Sequence, residues 1–507
     1  MTTTQFQRRS FLGLAIGSAG LAALPCTSHA AAAGSFDTTT DVLIIGAGMA
    51  GLTAGVLLAR AGKKVTIVDK RAWAGGDGVL STGTIFAAQT KYQREAGVTA
   101  GVSVEDYWKR LLAGLDDEPL TKVRDSLPLS PIYSGIAKHD PAVMRACVER
   151  STSLVDFIES FGVEFRPVNP GRPFLHPTAP GSMNKLAAGL RDEILAKGGE
   201  IRMQTRATTL ITDDKGTVTG AVLSAGGQET RAGARAVVLA TGGFLDNEEL
   251  MLRHKRFWAA APRGFSYSDG DGGLPKDHTG DGIVMARSIG ASLEDMEGVP
   301  KFWAATRKGT PGFAWMIFDT DSAYLVTRKG ERIVNEAVAR YTGCALKLLS
   351  VGEPEGYVLM DHRTVTGPNA ARWRFDEVMK GGGLFRGDTP EEVAKAAGVD
   401  PEGLRATIER INRDAAAGAD TAFGRTDSRF RALEAPYYLS APYAPVMFKT
   451  EGGIEVNPKF EVLAHDDLAP IRGLYAIGST CGSITTRLCD VFASGMIAAE
   501  SISAKLG

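Results

Sequence analysis

The sequence predicts an α/β fold in which separated pieces of chain build one nucleotide-binding domain and a second domain is inserted between them. Residues 42–45 form an apolar run that is followed at once by a glycine-rich turn and a helical pattern. Residues 234–244 contain an apolar strand that ends in Thr241-Gly242-Gly243, and residues 473–477 form another that reaches Gly478. Short buried strands that end in glycine turns are typical of α/β chains that bind nucleotides.

Composition limits the class of protein. The chain has 507 residues, more than one domain usually accommodates. It carries 57 Lys and Arg against 58 Asp and Glu, and no basic run stands out, which argues against a nucleic acid or an anionic membrane as partner. The five cysteines are too scattered for a disulfide framework, and no C-x-x-C pair or histidine cluster predicts a metal site.

The N-terminal residues 1–30 resemble a twin-arginine export signal. Arg8 and Arg9 precede an apolar stretch from about residue 11 to residue 25, and residues 28–30 offer a small-x-small cleavage site. The alternative is a membrane anchor, but the apolar stretch is shorter than the roughly 20 residues that span a bilayer, and no later run predicts a stable span. The mature chain is therefore expected in the periplasm. Because this export route moves folded proteins, the signal also favours a tightly bound cofactor.

The first glycine motif predicts a dinucleotide site. Gly46 permits a tight turn, Gly48 lets the backbone approach a pyrophosphate, and Gly51 lets the helix pack on the strand. The start of the helix supplies unpaired N–H groups to the anion. A second apolar strand over residues 65–68 ends at Asp69, where a carboxylate can bond a ribose hydroxyl.

Three further segments select FAD rather than a nicotinamide cofactor. A glycine-serine loop over residues 70–88 follows the acidic strand end and resembles the second flavin contact of FAD proteins. The turn at residues 241–243 and the strand over residues 473–477 that reaches Gly478 resemble two further contacts, in the order that FAD proteins use. The residues expected to contact FAD are Gly46, Gly48, Met49, Ala50, Gly51, Asp69, Lys70, Gly75, Gly76, Ser81, Thr82, Gly83, Ala207, Thr241, Gly242, Gly478 and Leu488.

Four longer motifs, at residues 182–223, 279–297, 328–343 and 450–457, extend the pattern. With them the chain resembles the fumarate reductase and succinate dehydrogenase flavoprotein superfamily, in its soluble branch of flavocytochrome fumarate reductases, urocanate reductases and 3-ketosteroid dehydrogenases. The resemblance implies a Rossmann-like FAD-binding domain in two sequence segments, with an inserted α+β capping domain. The expected division is residues 36–298, 299–449 and 450–507, where the middle range is the capping domain.

The resemblance also implies an acid. In such enzymes a hydride passes between flavin N5 and the β-carbon of an activated double bond, while an arginine gives a proton to the α-carbon. The motif E-R-x-x-N-E-x-x-x-R places that arginine at Arg340. Two alternatives stay open: Arg340 pairs with Glu336 one turn back, or it binds a carboxylate without proton transfer. Arg332 in the same motif is expected to be structural.

Three other positions are candidates for the active site. Arg487 matches an arginine that clamps a substrate carboxylate, with stabilisation of charge at the flavin edge as the alternative, although Cys489 and Asp490 replace the two glycines of that motif. Lys449 stands where fumarate reductases have a histidine. His176 could orient substrate or serve its loop. The absence of the family's cap histidine and T-E-x-x-R relay argues against fumarate itself as the substrate.

The predicted function is an exported FAD-dependent reductase of an α,β-unsaturated carboxylate or related enoyl compound. Since the chain lacks C-x-x-C-H, electrons are expected from a separate redox partner, namely a cytochrome c, a quinone or a flavin carrier. One alternative is a dehydrogenase or oxidase that desaturates a ketosteroid-like substrate, and another is a flavin-binding protein without turnover. Residues 390–418 fit two amphipathic helices to which no chemistry is assigned.

Overall fold

A parallel arrangement of strands forms the centre of the fold. In the computed structural model the described residues are 31–32, 34–81, 83–99, 102–115, 140–168, 175, 177–179, 181–255, 277–298, 301–306, 317–318, 321–484 and 487–507. The expected export signal lies outside them. The strands are β1 Ala31–Ala32, β2 Thr38–Ile45, β3 Val65–Val68, β4 Glu200–Arg202, β5 Arg206–Thr212, β6 Val218–Ala225, β7 Gln228–Leu239, β8 Leu293–Glu294, β9 Lys301–Thr306, β10 Tyr324–Val326, β11 Tyr357–Asp361, β12 Leu384–Gly387, β13 Tyr437–Ser440, β14 Tyr443–Lys449, β15 Gly453–Ile454, β16 Glu461–Leu463 and β17 Pro470–Ala476.

The α-helices lie between these strands and after the last one. They are α1 Met49–Arg60, α2 Lys91–Glu95, α3 Val104–Leu115, α4 Pro141–Arg150, α5 Leu154–Glu159, α6 Ser182–Ala196, α7 Glu248–His254, α8 Asp281–Ser288, α9 Glu336–Ser350, α10 His362–Val365, α11 Ala370–Trp373, α12 Phe375–Lys380, α13 Pro390–Ala397, α14 Pro401–Ala416 and α15 Leu488–Leu506. Among the described residues, none of them is long and apolar enough to cross a membrane.

The main sheet joins both ends of the chain. Strand β2 lies in parallel between β3 and β7, and the late strand β17 pairs in parallel with β7. The last four residues of β2, Val42 to Ile45, are buried on both faces, which explains their unbroken apolar run. Helices α1 and α15 pack against each other. The predicted α/β fold, built from two sequence segments, is therefore confirmed.

The boundaries of two elements differ from the sequence prediction. Helix α1 begins at Met49, inside the glycine motif and not after it, because Gly48 acts as its N-cap. Strand β17 begins at Pro470 instead of residue 473, since it pairs with the antiparallel strand β16 as well as with β7. Tertiary pairing extends an element beyond its apolar run.

A second sheet lies within the segment expected to form the cap. Strands β10, β11, β13 and β12 pair in that order and are antiparallel throughout. Helices α13 and α14 confirm the predicted amphipathic pair, and α13 begins with a capping box in which Thr389 and Glu392 exchange hydrogen bonds. The inserted unit is thus an α+β layer, as the sequence predicted.

Strand β14 brings the end of the cap segment back to the main sheet. It pairs with β9 and has an irregularity between Met447 and Lys449. The following strand β15 pairs with β8, and a Cβ added to Gly453 would lie 2.3 Å from the Thr480 carbonyl oxygen. This close backbone approach places the segment that begins at Lys449 beside the turn that follows β17.

Candidate functional site

A large open cleft lies where the parallel strands β2, β3, β7 and β17 end. It holds about 1400 Å³ of empty space, part of which is open to solvent. Its position is the one where α/β sheets bind nucleotide ligands. Of the residues predicted to contact FAD, those that line the cleft are Gly46, Gly48, Met49, Ala50, Asp69, Lys70, Gly76, Ser81, Ala207, Thr241, Gly242, Gly478 and Leu488.

The three glycines of the first motif have different roles. Gly46 has φ +116°, and an added Cβ would lie 2.2 Å from the Ala240 carbonyl oxygen. A Cβ on Gly51 would lie 2.0 Å from the Gly46 carbonyl oxygen, so both glycines are required for the turn to pack. Gly48 has φ −73° and nothing within 4 Å of an added Cβ. The open space at Gly48 faces the cleft, and helix α1 starts there without a side-chain cap, which suits a pyrophosphate.

Asp69 fixes the start of the loop that follows β3 by accepting two backbone hydrogen bonds. One of its carboxylate oxygens accepts the N–H of Ala47 at 2.7 Å, and the other accepts the N–H of Arg71 at 2.8 Å. Burial raises the pKa of Asp69, against which these two hydrogen bonds act. Each oxygen can accept a second hydrogen bond and Asp69 lines the cleft, so the predicted hydrogen bond to a ribose hydroxyl is compatible with this geometry.

Two predicted contacts lie behind the cleft wall. Gly75 is buried with φ +108° and donates its N–H to the Ala47 carbonyl at 2.7 Å. Gly83 is buried with φ +71°, and an added Cβ would lie 2.7 Å from the Pro177 side chain. Both glycines, like Gly51, shape the backbone and do not line the cleft. Thr82 and His176 lie outside the described residues.

The C-terminal turn is joined to the central one by a buried hydroxyl. Thr480 accepts the N–H of Gly242 at 2.9 Å, and Thr241 in turn accepts the N–H of Gly282 at 3.1 Å. Three segments that are far apart in sequence therefore form one wall. Because Thr480 is fully buried, the bond to Gly242 is shielded from water.

A charged cluster at the cleft wall was missed by the sequence analysis. Arg71 forms a bidentate pair with Asp277 and lies 3.1 Å from Asp77. His278 contacts Asp77 through Nε2 at 2.5 Å and Asp246 through Nδ1 at 3.2 Å. Arg71, Asp77, Asp277 and His278 all line the cleft. We call these four residues and Asp246 the mouth cluster.

Protonation states in the mouth cluster follow from its geometry. Burial alone lowers the pKa of His278, but its hydrogen bonds to Asp246 and Asp77 outweigh burial and raise the pKa to about 9. Burial raises the pKa of Asp77, whereas the hydrogen bond and charge of His278 and the charge of Arg71 hold it well below its usual range. At neutral pH, His278 is therefore protonated and Asp77 is ionised.

A smaller group of charges extends the same wall. The ammonium of Lys70 donates to Thr279 at 2.6 Å and to Asp281 at 3.1 Å. The second oxygen of Asp281 pairs with Arg206 at 2.7 Å. Lys70 and Asp281 are 211 residues apart, and no local pattern in the sequence signals that they meet.

The cap segment contributes Lys449 to the cleft. Lys449 lines the cleft together with Phe448 and Thr450, so this predicted site residue faces the same cavity as the FAD contacts. Arg487 lies at the N-terminus of α15, and its guanidinium is 5.3 Å from the centre of the Phe86 ring. Arg487 is exposed and does not itself line the cleft, whereas the next residue, Leu488, does.

Arg340 lies in helix α9, one turn after Glu336. The structure describes its backbone but not its side chain. The Glu336 carboxylate receives four hydrogen bonds. Leu325 N and Arg332 Nε donate to one oxygen, while Arg332 Nη2 and Arg425 Nη1 donate to the other. These bonds give Arg332 a structural role, whereas the pairing of Arg340 with Glu336 stays a prediction.

Among the described residues, neither the cysteines nor a metal site forms a second reactive centre. Cys147, Cys344, Cys481 and Cys489 are free and buried, and burial raises the pKa of Cys489 to about 12. A thiol with so high a pKa is a poor nucleophile at neutral pH. Within the described residues, no group of three His, Cys, Asp or Glu side chains is placed to hold a metal ion.

The glycine turn, the uncapped helix start and the two-segment sheet together define a dinucleotide-binding α/β protein. The chain belongs to the FAD binding domain family, which matches residues 41–490. Its cofactor is accordingly FAD, and the chain is a flavin-dependent oxidoreductase. The open cradle at Gly48 and the acidic strand end at Asp69 fit that cofactor.

Similar proteins extend over most of the chain. It is 28% identical over 464 residues to the probable fumarate reductase Ifc3 of Shewanella frigidimarina, covering 88% of this chain and 70% of that protein. It is 28% identical over 496 residues to the urocanate reductase of Eggerthella lenta, covering 92% of this chain and 75% of that protein.

Among solved structures, the open conformation of a flavocytochrome c3 fumarate reductase matches with a TM-score of 0.70 and 26% identity. The match covers 93% of this chain and 79% of that one. The superfamily that the motifs indicated is thereby confirmed.

Proposed function

We propose that this protein reduces the carbon–carbon double bond of an α,β-unsaturated carboxylate or a related enoyl compound. Once reduced by a separate electron donor, the flavin would supply a hydride to the β-carbon and return to its oxidised form, while Arg340 gives a proton to the α-carbon. The enzyme thus acts on CH–CH bonds. The observation that carries the proposal is that Lys449, from the cap segment, lines the same cleft as the FAD-binding turns.

Lys449 is the proposed ligand of the substrate carboxylate. An ammonium group on the wall of a partly closed cleft attracts an anion more strongly than one in bulk water. It stands where fumarate reductases have a histidine, and lysine differs from histidine in carrying its charge through the neutral pH range. A longer, more flexible cation suits a substrate other than a short dicarboxylate.

Arg340 is the proposed proton donor because it occupies the position of the family's acid in the motif E-R-x-x-N-E-x-x-x-R. The carboxylate of Glu336, one turn back, receives four hydrogen bonds from other residues, which anchor the start of helix α9. Arg487 is proposed to bind the other end of the substrate or to balance charge at the flavin edge, from its position at the N-terminus of α15. His176 is kept as a candidate for substrate orientation.

The proposed organisation follows the sequence. Residues 1–30 direct export to the periplasm by the twin-arginine pathway, residues 36–298 and 450–507 hold FAD, and residues 299–449 cap the active site. A separate cytochrome c, quinone or flavin carrier delivers the electrons. The four-stranded sheet within residues 324–440 supports the division between cap and cofactor domain.

The test is anaerobic reoxidation of the reduced protein by a panel of enoates of increasing size. We expect stopped-flow traces in which at least one carboxylate enoate restores the oxidised flavin spectrum. Arg340→Lys should slow that step by about a hundredfold or more while leaving bound FAD intact. The matched control is Arg328→Lys, since Arg328 is 56% exposed and pairs with Glu355.

Two outcomes contradict the proposal. Bleaching of the oxidised flavin by saturated ketones, without reoxidation by any enoate, supports the desaturating alternative. Full activity of Arg340→Lys removes Arg340 as the acid.

A further inference from the structure

A buried ion network surrounds the start of helix α9. Arg332, Glu336, Asp420 and Arg425 have side chains that are at most 2% exposed. Arg332 pairs with Glu336 and with Asp420, both at 2.8 Å, and Arg425 reaches Glu336 at 3.2 Å. Two arginines and two carboxylates are therefore enclosed together, shielded from bulk solvent.

The partners of Glu336 come from a distant loop. Asp420 organises that loop by accepting the N–H groups of Phe423 at 3.2 Å and Arg425 at 3.1 Å. The loop follows helix α14, which ends at Ala416. The Arg332 guanidinium lies 5.0 Å from the Phe423 ring, so the loop also holds Arg332 by an aromatic contact.

The same loop also forms a hydrogen bond with the N-cap residue of α9. Asn335 makes no side-chain cap bond to its own helix and instead donates from Nδ2 to the Phe423 carbonyl at 3.1 Å. The start of α9 is thus held by a direct bond at Asn335, by the Glu336–Arg425 pair, and by the chain Glu336–Arg332–Asp420. Three links between one loop and one helix end fix the helix in position and in rotation.

This arrangement fixes the position of α9 more than it stabilises the fold. Burying four charged groups is costly, and such networks add little net stability compared with apolar packing. Arg340 lies four residues after Glu336, about 6 Å along the helix axis. A reacting group displaced by about 1 Å can lose about a hundredfold in rate.

We propose that Asp420 and Arg425 are positioning residues for Arg340. They set the location of α9 from a loop that is about 80 to 90 residues downstream, and Asn335 completes the attachment. The inference rests on the proposed function, because it assumes that Arg340 is the proton donor.

The test begins with Asp420→Asn, which keeps the shape of the side chain and removes its charge. We expect kcat for enoate reduction to fall by about tenfold or more, KM to stay within about twofold, and FAD content to stay unchanged. The solvent deuterium isotope effect on flavin reoxidation should rise, because proton transfer becomes slower. Asn335→Ala, which removes a single hydrogen bond, should show the same pattern in milder form and serves if Asp420→Asn does not fold.

The matched control is Asp361→Asn. Asp361 is an equally buried carboxylate of the cap segment, paired with Arg431 at 2.6 Å and Arg363 at 2.9 Å instead of with the arginines that bind Glu336. Its replacement should lower Tm without altering kcat by more than about twofold. Equal losses of kcat in Asp361→Asn and Asp420→Asn overturn the positioning role.

A double-mutant cycle separates this inference from the proposed function. If Asp420 acts through Arg340, Asp420→Asn should cost little further activity in the Arg340→Lys background. If the two substitutions instead lower kcat by independent factors that multiply, Asp420 does not act through Arg340. The positioning role is then overturned, while Arg340 remains the acid. If Arg340→Lys alone has full activity, Arg340 is not the acid and the positioning role falls with it, whereas failure of every enoate to reoxidise the reduced flavin overturns the proposed function itself.

Discussion

Nε2 of His278 lies 2.5 Å from a carboxylate oxygen of Asp77, and this contact joins segments 201 residues apart at the wall of the FAD cleft. The other nitrogen of His278 faces Asp246, while Asp277 and Arg71 complete the charged surroundings of the ring. Both ring nitrogens of His278 therefore contact carboxylates. The mouth cluster holds the first FAD loop against the segment that precedes helix α8.

This contact predicts that FAD is retained less well at alkaline pH. The folded-state pKa of His278 is about 9, above its ordinary 6.5, so its stabilisation is fully present below pH 6.5 and is lost as the pH rises through 9. The difference corresponds to about 3 kcal/mol at most. Free FAD measured by filtration from about pH 6 to about pH 10 should increase through that window.

His278→Gln should flatten this pH dependence, because glutamine does not titrate. His465→Gln, at an exposed position, is the control and should behave as the unmodified protein does. Identical FAD release by all three proteins at every pH contradicts a role for the His278 charge.

A second prediction separates folding from cofactor binding. In Gly48→Ala the added methyl group meets nothing within 4 Å and suits φ −73°, so the protein should fold with an unchanged circular dichroism spectrum. The methyl group nevertheless enters the space expected for the pyrophosphate, and FAD affinity should fall by about tenfold or more. Fluorescence titration of the apoprotein with FAD measures this change.

Gly46→Ala is the paired variant. Its methyl group would lie 2.2 Å from the Ala240 carbonyl oxygen, at φ +116°, so the protein should fail to accumulate in folded form. If Gly48→Ala binds FAD as tightly as the unmodified protein, the pyrophosphate does not pass over Gly48.

A third prediction concerns Lys449. Lys449→Met should raise KM for a carboxylate enoate by about tenfold, because a charge-assisted hydrogen bond contributes about 1.5 to 3 kcal/mol. The matching amide should be nearly unaffected, since it offers no negative charge. Steady-state kinetics with the acid and its amide make the comparison.

Lys459→Met, which alters an exposed lysine on the turn before β16, controls for the lost surface charge. If the ratio of KM for the amide to KM for the acid is the same in Lys449→Met as in the unmodified protein, another cation binds the carboxylate.

A fourth prediction concerns stability. Arg332→Met leaves Glu336 and Asp420 buried with fewer partners and should lower the free energy of unfolding by about 3 to 5 kcal/mol. Arg405→Met removes an exposed i,i+4 pair with Glu409 and should cost less than about 1 kcal/mol. Urea unfolding of both variants measures the difference. If both variants lose a similar amount of unfolding free energy, the buried pairs of Arg332 do not stabilise the protein more than an exposed pair does.

Much of the cofactor site could be predicted because its signals are local. The turn between β2 and α1 needs glycine at positions that a few neighbouring atoms define, and the same holds for Gly242 and Gly478, which have φ +79° and +64°. Gly51, Gly75 and Gly83 belong to the same glycine pattern, but they shape the backbone and do not line the cleft. A glycine pattern does not distinguish close approach to a ligand from close approach to another strand.

The charged surroundings of the site could not be predicted. Arg71 meets Asp277 across 206 residues, and Arg425 meets Glu336 across 89. Single arginines and carboxylates are frequent in any sequence, and nothing in their spacing tells which of them will meet. Hydrophobic burial brings the segments together without direction, and the pairing of charges follows from the final packing.

The sequence by itself determined the cofactor class and the α/β fold, because steric requirements of the backbone and runs of apolar residues act over short distances. Only the tertiary structure decided which charges close the cleft wall and which loop holds helix α9. Those contacts exist only once strands from both ends of the chain share one sheet, since ion pairs and hydrogen bonds act over a few ångströms of space.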